Sequence, residues 1–227
     1  MDEDPAQPRS LARTRALYEG KGLTESALAG DWYSQLERWI SDAERAGVVE
    51  ANAMTLATVD PDGRPSTRTV LLKGVDPRGL VFYSNRTSRK GVALRSDPRA
   101  AVTIPWVALA RQVCVTGDVE ELPRAETEKY ARGRPRGSQI GAWVSHQSRV
   151  IGSRAELQVE LRALEDRFAG GPVPVPEYWT GYRLRPLTVE FWQGQPNRLH
   201  DRLRFGRVDG NPGLATDDGW VVERLSP

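Results

Sequence analysis

Three side chains near the end of the sequence have the types and spacing of an anion site. Residues 198–202 read Arg-Leu-His-Asp-Arg. Alternate residues of an extended strand share a face, so Arg198, His200 and Arg202 would point the same way. Two guanidiniums disfavour protonation of the imidazole, which leaves a neutral ring that can donate and accept hydrogen bonds. We predict that this stretch binds a phosphate or another anion. The alternative is a solvated edge strand whose arginines pair with nearby acidic residues.

Two further segments combine cations with hydroxyl groups. Ser88-Arg89-Lys90 opens a helix predicted to run to about residue 96, and a helix N-terminus with two cations suits a phosphate. The alternative there is a solvated basic first turn. Residues 133–138 follow a helix predicted over residues 123–131 that carries Tyr130. Their glycines and prolines predict an irregular loop that suits a lid over an anion.

Composition excludes several classes of function. The 227 residues carry a net charge of +2, which gives no overall field for binding nucleic acid. The single cysteine, Cys114, rules out an internal disulfide and a cysteine-built zinc site. No Gly-x-Gly-x-x-Gly or Walker-type loop supports a Rossmann or P-loop site, and we predict no metal. No signal peptide or membrane span is apparent, so we expect a cytoplasmic protein with no membrane partner.

The elements that position these residues follow from periodicity. We expect residues 1–10 to form a disordered tail and residues 11–227 to form one domain. Helices are predicted over residues 11–18, from Asp31 to about Gly47, and from a capping box at Ser153 and Glu156 to about Gly170. The predicted strands are residues 53–59, 68–72, 80–84, 101–106, 112–120, 182–184, 188–192, 198–205 and 220–225. Strands this closely spaced favour an antiparallel sheet curled into a barrel with flanking helices.

Six motifs in this order carry a resemblance to a known family. They are residues 68–73 (RTVLLK), 88–90 (SRK), 111–113 (RQV), 134–143 (RPRGSQIGAW), 147–148 (QS), and 191–194 (FWQG) with 198–202 (RLHDR). The chain resembles the pyridoxine (pyridoxamine) 5′-phosphate oxidase family from about Arg15 to the closing residues. The resemblance implies an antiparallel split β-barrel that binds FMN, assembled as a homodimer with the FMN at the subunit interface. It also implies oxidation of a phosphorylated B6 vitamer to pyridoxal 5′-phosphate by O2, giving H2O2.

The resemblance assigns roles residue by residue. It implies that FMN contacts Arg68, Lys73, Tyr83, Ser84, Arg89, Lys90, Gln112, Gln147, Ser148, Trp192 and Arg202. It implies that the substrate contacts Arg15, Tyr18, Lys73, Tyr130, Arg134, Ser138, Arg198 and His200. Of these, Arg198 and His200 would be catalytic, because they would orient the pyridine ring and its C4′ substituent while a hydride passes from C4′ to the flavin.

Some points stay open in the sequence alone. Arg68 and Lys73 are an odd number of residues apart, so a bulge or a strand end must intervene if both touch one cofactor. Tyr130 and Trp192 have packing as an alternative role. Ala110 stands where the family commonly has an acid, which would loosen Arg111. Residues 209–218 have the pattern of a lengthened hairpin turn.

Two other functions remain: a related flavin oxidase acting on another metabolite, such as a phenazine, and a non-catalytic protein that binds flavin or haem.

Overall fold

The computed structural model describes Tyr18, residues 22–207, the backbone of Leu214–Ala215, and residues 219–227. The expected tail over residues 1–10, Arg15 and most of the helix expected over residues 11–18 lie outside the described residues. So does most of the turn expected at residues 209–218, of which only the backbone of the short strand Leu214–Ala215 is described.

A long antiparallel sheet forms the centre of the described structure, and helices flank it. The strands are β1 (Ala53–Val59), β2 (Pro65–Leu71), β3 (Gly74–Asp76), β4 (Gly79–Asn85), β5 (Arg99–Trp106), β6 (Arg111–Glu121), β7 (Trp179–Gln193), β8 (Asp201–Arg207), β9 (Leu214–Ala215) and β10 (Trp220–Arg224). The helices are α1 (Trp32–Arg45), α2 (Arg89–Ser96), α3 (Arg124–Arg132), α4 (Arg136–Val144) and α5 (Arg154–Arg167). The strand order is β2-β1-β5-β6-β7-β8-β10-β9, and β4 pairs with both β3 and β7. This sheet curls into the half-barrel that the sequence predicts.

β7 is the strand that joins the two parts of the sheet. Its first half pairs with β4 over Trp179–Leu184, and its second half pairs with β8 over Thr188–Gln193. β6 runs beside almost all of it. The register of β6 against β7 shifts between Thr116 and Gly117, where Leu187 is the extra residue of a bulge. The sequence predicts two strands here because Pro186 and this bulge interrupt the alternation. The structure shows one continuous strand instead.

The core is aromatic and lies between α1 and the sheet. The Trp39 ring lies 5.2 Å from that of Phe191 and 6.3 Å from that of Trp106, and all three side chains are almost fully buried. Asp31 caps α1 by accepting a hydrogen bond from the Ser34 amide, as the sequence predicts. The α1 face therefore packs as its 3.6-residue period indicates.

Two local predictions are wrong. Residues 198–200 are not part of a strand: Pro196–Arg198 form a 3-10 turn, Asn197 and Arg198 have positive φ values of 55° and 64°, and β8 begins only at Asp201. The alternation expected for Arg198, His200 and Arg202 therefore does not occur. Residues 136–138 are not an irregular loop, because Pro135 precedes a helix rather than breaking one, and these residues form the first turn of α4.

Candidate functional site

Lys90 lies at the centre of the first cluster of predicted site residues. Its Nζ donates to Ser84 Oγ at 3.0 Å, to Gln147 Oε1 at 3.0 Å and to Ser88 Oγ at 3.3 Å. Burial, together with the smaller effect of the nearby charge of Arg68, lowers the pKa of Lys90 to about 8. No carboxylate pairs with Lys90 in the part of the chain that the structure describes. We call Arg68, Ser84, Lys90 and Gln147 the Lys90 cluster.

Arg68 joins this cluster without an anionic partner of its own. Its guanidinium donates to Thr58 Oγ1 at 2.7 Å and to Ser66 Oγ at 2.7 Å, and burial lowers its pKa. None of the ion pairs found among the described residues involves Arg68. The charge of Asp60 acts on Arg68 from a distance, but Asp60 forms its ion pair with Arg89. Lys90 and Arg68 therefore repel one another with no carboxylate in direct contact, and a phosphate dianion would satisfy both. The donor set therefore fits the phosphate of FMN.

Arg89 is held differently from Lys90, although the two residues are neighbours at the start of α2. The Arg89 guanidinium forms an ion pair with Asp60. Its backbone amide donates to Ser148 Oγ at 3.2 Å, and Ser148 adopts a left-handed conformation with φ of 72°. Ser88 is the N-cap of this helix, and its side-chain hydroxyl oxygen accepts a hydrogen bond from the Gly91 amide. Ser148 and Gln147 thus lie at the N-terminus of α2, where the sequence predicts a phosphate site.

Three predicted cofactor residues lie in one row across neighbouring strands. Gln112 of β6 pairs with Trp192 of β7, and Trp192 pairs with Arg202 of β8. Arg202 donates to both carboxylate oxygens of Glu190, at 2.7 and 3.0 Å. Gln112 donates to the sulfur of Cys114 at 3.2 Å, and burial raises the pKa of that thiol. The row presents an amide, an indole and a neutralised guanidinium, a set that suits an extended planar ring better than a phosphate.

His200 lies against this row with its tautomer fixed by a backbone contact. The Gln195 amide donates to His200 Nδ1 at 3.0 Å. A backbone N–H can only donate, so Nδ1 must be unprotonated and the neutral ring carries its proton on Nε2. The ring lies 4.7 Å from that of Trp192 and 5.7 Å from that of Tyr18. His200 therefore offers an Nε2–H donor. Arg198 is exposed at the neighbouring turn.

The segment after Tyr18 is tied down by residues from the far end of the chain. Asp201 accepts from the Leu23 amide at 2.9 Å and from Arg224 at 2.7 Å. Arg224 also donates to the Leu23 carbonyl at 3.0 Å and forms an ion pair with Glu25. These contacts fix the chain five residues beyond Tyr18, the only residue described in the segment expected to cover the substrate.

Arg134 is a further cation without an ion pair among the described residues, and it lies beside three parallel aromatic rings. The rings of Tyr83 and Tyr130 stack at 3.8 Å, and the Trp179 ring lies parallel to both. The Arg134 guanidinium lies over Trp179, 4.8 Å from the ring centroid, and burial lowers its pKa. Its side chain makes no hydrogen bond or ion pair with any described residue. Tyr130 thus packs on Tyr83 and also adjoins the cation predicted to bind the substrate phosphate.

Two other predicted residues lie near these groups. Ser138 is in the first turn of α4, four residues after Arg134, at a helix N-terminus where amides are available to an anion. Lys73 is exposed between β2 and β3, and its backbone amide donates to Val81 at 2.8 Å. β2 ends at Leu71, so a strand end separates Arg68 from Lys73, as their odd spacing required.

The predicted site residues of one chain fall at two ends of β7. Trp179 and the strand β4, which carries Tyr83 and Ser84, lie at its beginning, whereas Trp192 lies thirteen residues later. At roughly 3.3 Å per residue the two positions are up to about 43 Å apart along the strand. The structure therefore brings together, at one end, the Lys90 cluster and Arg134 with its neighbouring rings. It brings together the Trp192 row and His200 at the other.

Sequence reasoning missed three partners that the structure reveals. Glu190 neutralises Arg202, Asp60 neutralises Arg89, and Trp179 stacks with Arg134. Glu190 could have been found, because it lies two residues before Trp192 and so shares its face of the strand. Arg111, which follows Ala110, has partners on other elements. Arg111 donates to Asp42 at 2.8 Å and to Gln193 at 2.9 Å.

The described ranges contain neither a metal-binding cluster nor a membrane-spanning helix. No group of three or more His, Cys, Asp or Glu side chains there could hold a metal ion. No helix there is long and apolar enough to span a membrane.

The half-barrel, with the Lys90 cluster beside α2 and the Trp192 row at the other end of β7, is typical of the class of split-barrel flavoprotein oxidoreductases. The model of the family "Pyridoxamine 5′-phosphate oxidase" matches residues 40–168, and that of the "Pyridoxine 5′-phosphate oxidase C-terminal dimerisation region" matches residues 179–227. The chain belongs to the pyridoxamine 5′-phosphate oxidase family.

Several relatives are similar over nearly their whole length. A protein from Salinispora arenicola named pyridoxine/pyridoxamine 5′-phosphate oxidase is 56% identical over 91% of this chain and 90% of its own. One of the same name from Saccharopolyspora erythraea is 50% identical over 100% of both. Among solved structures, PhzG from Burkholderia lata, in complex with tetrahydrophenazine-1-carboxylic acid, has a TM-score of 0.80. It is 33% identical over 89% of this chain and 95% of its own.

Proposed function

We propose that the protein is an FMN-dependent oxidase that converts pyridoxamine 5′-phosphate or pyridoxine 5′-phosphate to pyridoxal 5′-phosphate. In each turnover the C4′ carbon of the substrate is oxidised by two electrons and O2 is reduced to H2O2. With the amine substrate, water also adds to the oxidised carbon and ammonia leaves, whereas the alcohol gives the aldehyde directly. Bound FMN would supply the redox chemistry by accepting a hydride and passing the two electrons to O2. The names of relatives that are 50 and 56% identical support this substrate class.

The observation that carries the proposal is the presence of two separate cationic positions that form no ion pair with any described carboxylate. One is the Lys90 cluster, where Lys90 and Arg68 have hydroxyl and amide partners but no carboxylate. The other is Arg134, whose guanidinium is half-buried and stacked but unpaired among the described residues. A flavin mononucleotide carries one phosphate and a phosphorylated vitamer carries another. Two such positions therefore suit an enzyme whose cofactor and substrate are both phosphorylated.

The remaining residues would orient the reacting ring. His200 presents an Nε2–H donor, since its Nδ1 is occupied by the Gln195 amide. Arg198 lies exposed at the turn before it and keeps its guanidinium available for a pyridine substituent. Tyr18 packs edge-on against both Trp192 and His200, which would exclude water from that side of a bound ring. These contacts hold and shield a substrate, which is how positioning lowers the barrier to hydride transfer.

We propose that each complete site needs two copies of the chain. Arg134 and His200 lie near opposite ends of β7, and a B6 vitamer is on the order of 10 Å long, far shorter than the separation along that strand. A two-fold dimer in which one subunit supplies Arg134 and the Lys90 cluster, while its partner supplies the Trp192 row and His200, would resolve this. The match of residues 179–227 to a dimerisation region supports the same arrangement.

The test is oxidation of pyridoxamine 5′-phosphate in air by the FMN-loaded protein. We expect aldehyde absorbance and stoichiometric peroxide, and much slower reaction with unphosphorylated pyridoxamine. Turnover of a tetrahydrophenazine carboxylic acid without turnover of the vitamer would support instead an activity like that suggested by the name of the PhzG complex. Bound flavin with no turnover of either compound would favour a non-catalytic flavin protein.

A further inference from the structure

Trp179 is a buried aromatic residue that lies beside Arg134, Tyr83 and Tyr130. Its side chain is 5% exposed. It begins β7, where its amide donates to the Pro176 carbonyl at 3.1 Å and its carbonyl accepts from Arg124 at 3.4 Å. The indole is therefore fixed by strand and loop contacts that do not depend on a ligand.

The indole gives Arg134 its only described side-chain contact of defined geometry. A cation–π contact of this kind uses none of the hydrogen bonds of the guanidinium, and no described residue accepts from its five N–H donors. A free arginine side chain has many rotamers, and restricting them before binding reduces the entropy lost when an anion binds. The Trp179 ring thus holds the cation in place without neutralising it, which a carboxylate partner would do.

The same ring also belongs to the stack that fixes Tyr130. Its centroid lies 5.2 Å from that of Tyr83 and 6.2 Å from that of Tyr130, with the planes within 11° of parallel. Gly181 makes room for this stack, because a Cβ at that position would lie 2.8 Å from Tyr83 Cε1. The stack therefore requires glycine opposite Tyr83 and an aromatic residue two positions earlier on the same strand.

We propose that Trp179 is a positioning residue for the substrate phosphate. It acts through Arg134 and Tyr130 and does not itself touch the substrate. This inference rests on the proposed function, which assigns Arg134 to the phosphate of a B6 vitamer. In that role Trp179 sets how strongly the enzyme binds phosphorylated substrate. Tyr83, which the resemblance assigns to FMN, also stacks on Tyr130 at 3.8 Å and keeps that contact when Trp179 is replaced, so FMN affinity and the chemical step should not change.

The test compares Trp179→Leu with the conservative Trp179→Phe. Loss of the cation–π contact should raise the KM for pyridoxamine 5′-phosphate about 2- to 30-fold in Trp179→Leu, with kcat and the Kd for FMN unchanged. Trp179→Phe keeps an aromatic face and should recover most of the affinity. In an Arg134→Ala background, Trp179→Leu should raise KM by a clearly smaller factor, because the contact it removes is already gone.

Binding of 4′-deoxypyridoxine 5′-phosphate, which has the ring and phosphate but no oxidisable C4′ group, separates the two hypotheses. If the wild-type FMN-loaded protein binds this compound but oxidises no vitamer, the proposed function fails, and the Kd values of the variants still decide the role of Trp179. No binding by the wild type would overturn both. An unchanged Kd in Trp179→Leu, the same factor in both backgrounds, or a parallel loss of FMN would overturn the role of Trp179 alone.

Discussion

At the scale of single residues, Lys90 shows how the fold prepares a charge for a ligand. Its ammonium is surrounded by the Ser84 and Ser88 hydroxyls and the Gln147 amide, and burial lowers its pKa to about 8. The unfolded chain holds this proton up to a pKa of about 10.4. Between these two values the unfolded state binds more protons, so stability rises with pH there and the charged Lys90 destabilises the folded protein below pH 8. A bound phosphate would remove that penalty.

FMN affinity should therefore weaken as pH rises through the pKa of Lys90. Binding a phosphate dianion favours the charged Lys90 ammonium. Above about pH 8 the affinity for FMN therefore falls with each unit of pH, until the pKa of Lys90 in the FMN complex is reached. The Kd for FMN should rise about tenfold from pH 7 to pH 9, a range in which the phosphate stays dianionic. Fluorescence titration measures this. Lys90→Arg stays charged throughout and should abolish the pH dependence, and an equally steep dependence in that variant would contradict the assignment.

His200 should act as a hydrogen-bond donor through Nε2. His200→Gln places an amide N–H near that atom, whereas His200→Asn keeps only an acceptor for the Gln195 amide. We expect Asn to lower kcat/KM about 5- to 150-fold, the cost of leaving a polar partner unsatisfied, and Gln to lose much less.

A direct measurement can check the tautomer. In a His146→Gln variant His200 is the only histidine, and nitrogen NMR should show Nε2 protonated and Nδ1 unprotonated near pH 8. A proton on Nδ1, or equal losses in the Gln and Asn variants, would refute the donor role.

Residue types were predicted more successfully from the sequence than residue partners. The sequence identifies Arg89 and Arg202 as cations suited to an anionic cofactor, but it gives no sign that Asp60 and Glu190 neutralise them. Asp60 lies 29 positions from Arg89 and lies in the turn between β1 and β2. Such a contact depends on tertiary packing, which neither spacing nor periodicity encodes.

At the scale of elements, the two unpaired cationic positions lie near the N-termini of different helices. Lys90 is in the first turn of α2, and Arg134 lies two residues before α4 begins. The sequence correctly predicts a helix that opens at Ser88-Arg89-Lys90 and runs to about residue 96. It misses α4 altogether, because Gly and Pro are common both in loops and at helix starts. The structure thus gives Arg134 a helical neighbour with free amides, which strengthens its assignment to a phosphate.

The two positions should respond separately to mutation. Arg134→Ala should raise the KM for pyridoxamine 5′-phosphate about 10- to 150-fold, the cost of losing a charged phosphate partner, and leave the Kd for FMN unchanged. Lys90→Met should do the reverse. Arg89→Ala should weaken FMN less than Lys90→Met does, because Asp60 already neutralises Arg89. Equal loss of FMN in Arg134→Ala and Lys90→Met would indicate a single shared site.

At the scale of the whole molecule, the two ends of β7 require a second copy. Mixed dimers test this directly. When FMN-loaded Arg134→Ala and His200→Asn proteins are allowed to exchange subunits at equal concentration, half of the dimers are mixed. One of the two sites in each mixed dimer then contains both native residues. At a pyridoxamine 5′-phosphate concentration well below the wild-type KM, where both parent variants are nearly inactive, activity should recover to about a quarter of the wild-type value, as measured by peroxide release. A site contained within one chain would show no recovery, and sedimentation of the FMN-loaded protein as a monomer would exclude the arrangement.

The contacts among Leu23, Glu25, Asp201 and Arg224 also constrain the order in which parts of the chain can fold during synthesis. A ribosome releases residue 23 long before residue 224, and domains form from their N-terminal side as synthesis proceeds. The contacts of Leu23 and Glu25 with Asp201 and Arg224 cannot form until β8 and β10 have been synthesised. The contacts of Tyr18 with Trp192 and His200 likewise form only when translation is almost finished.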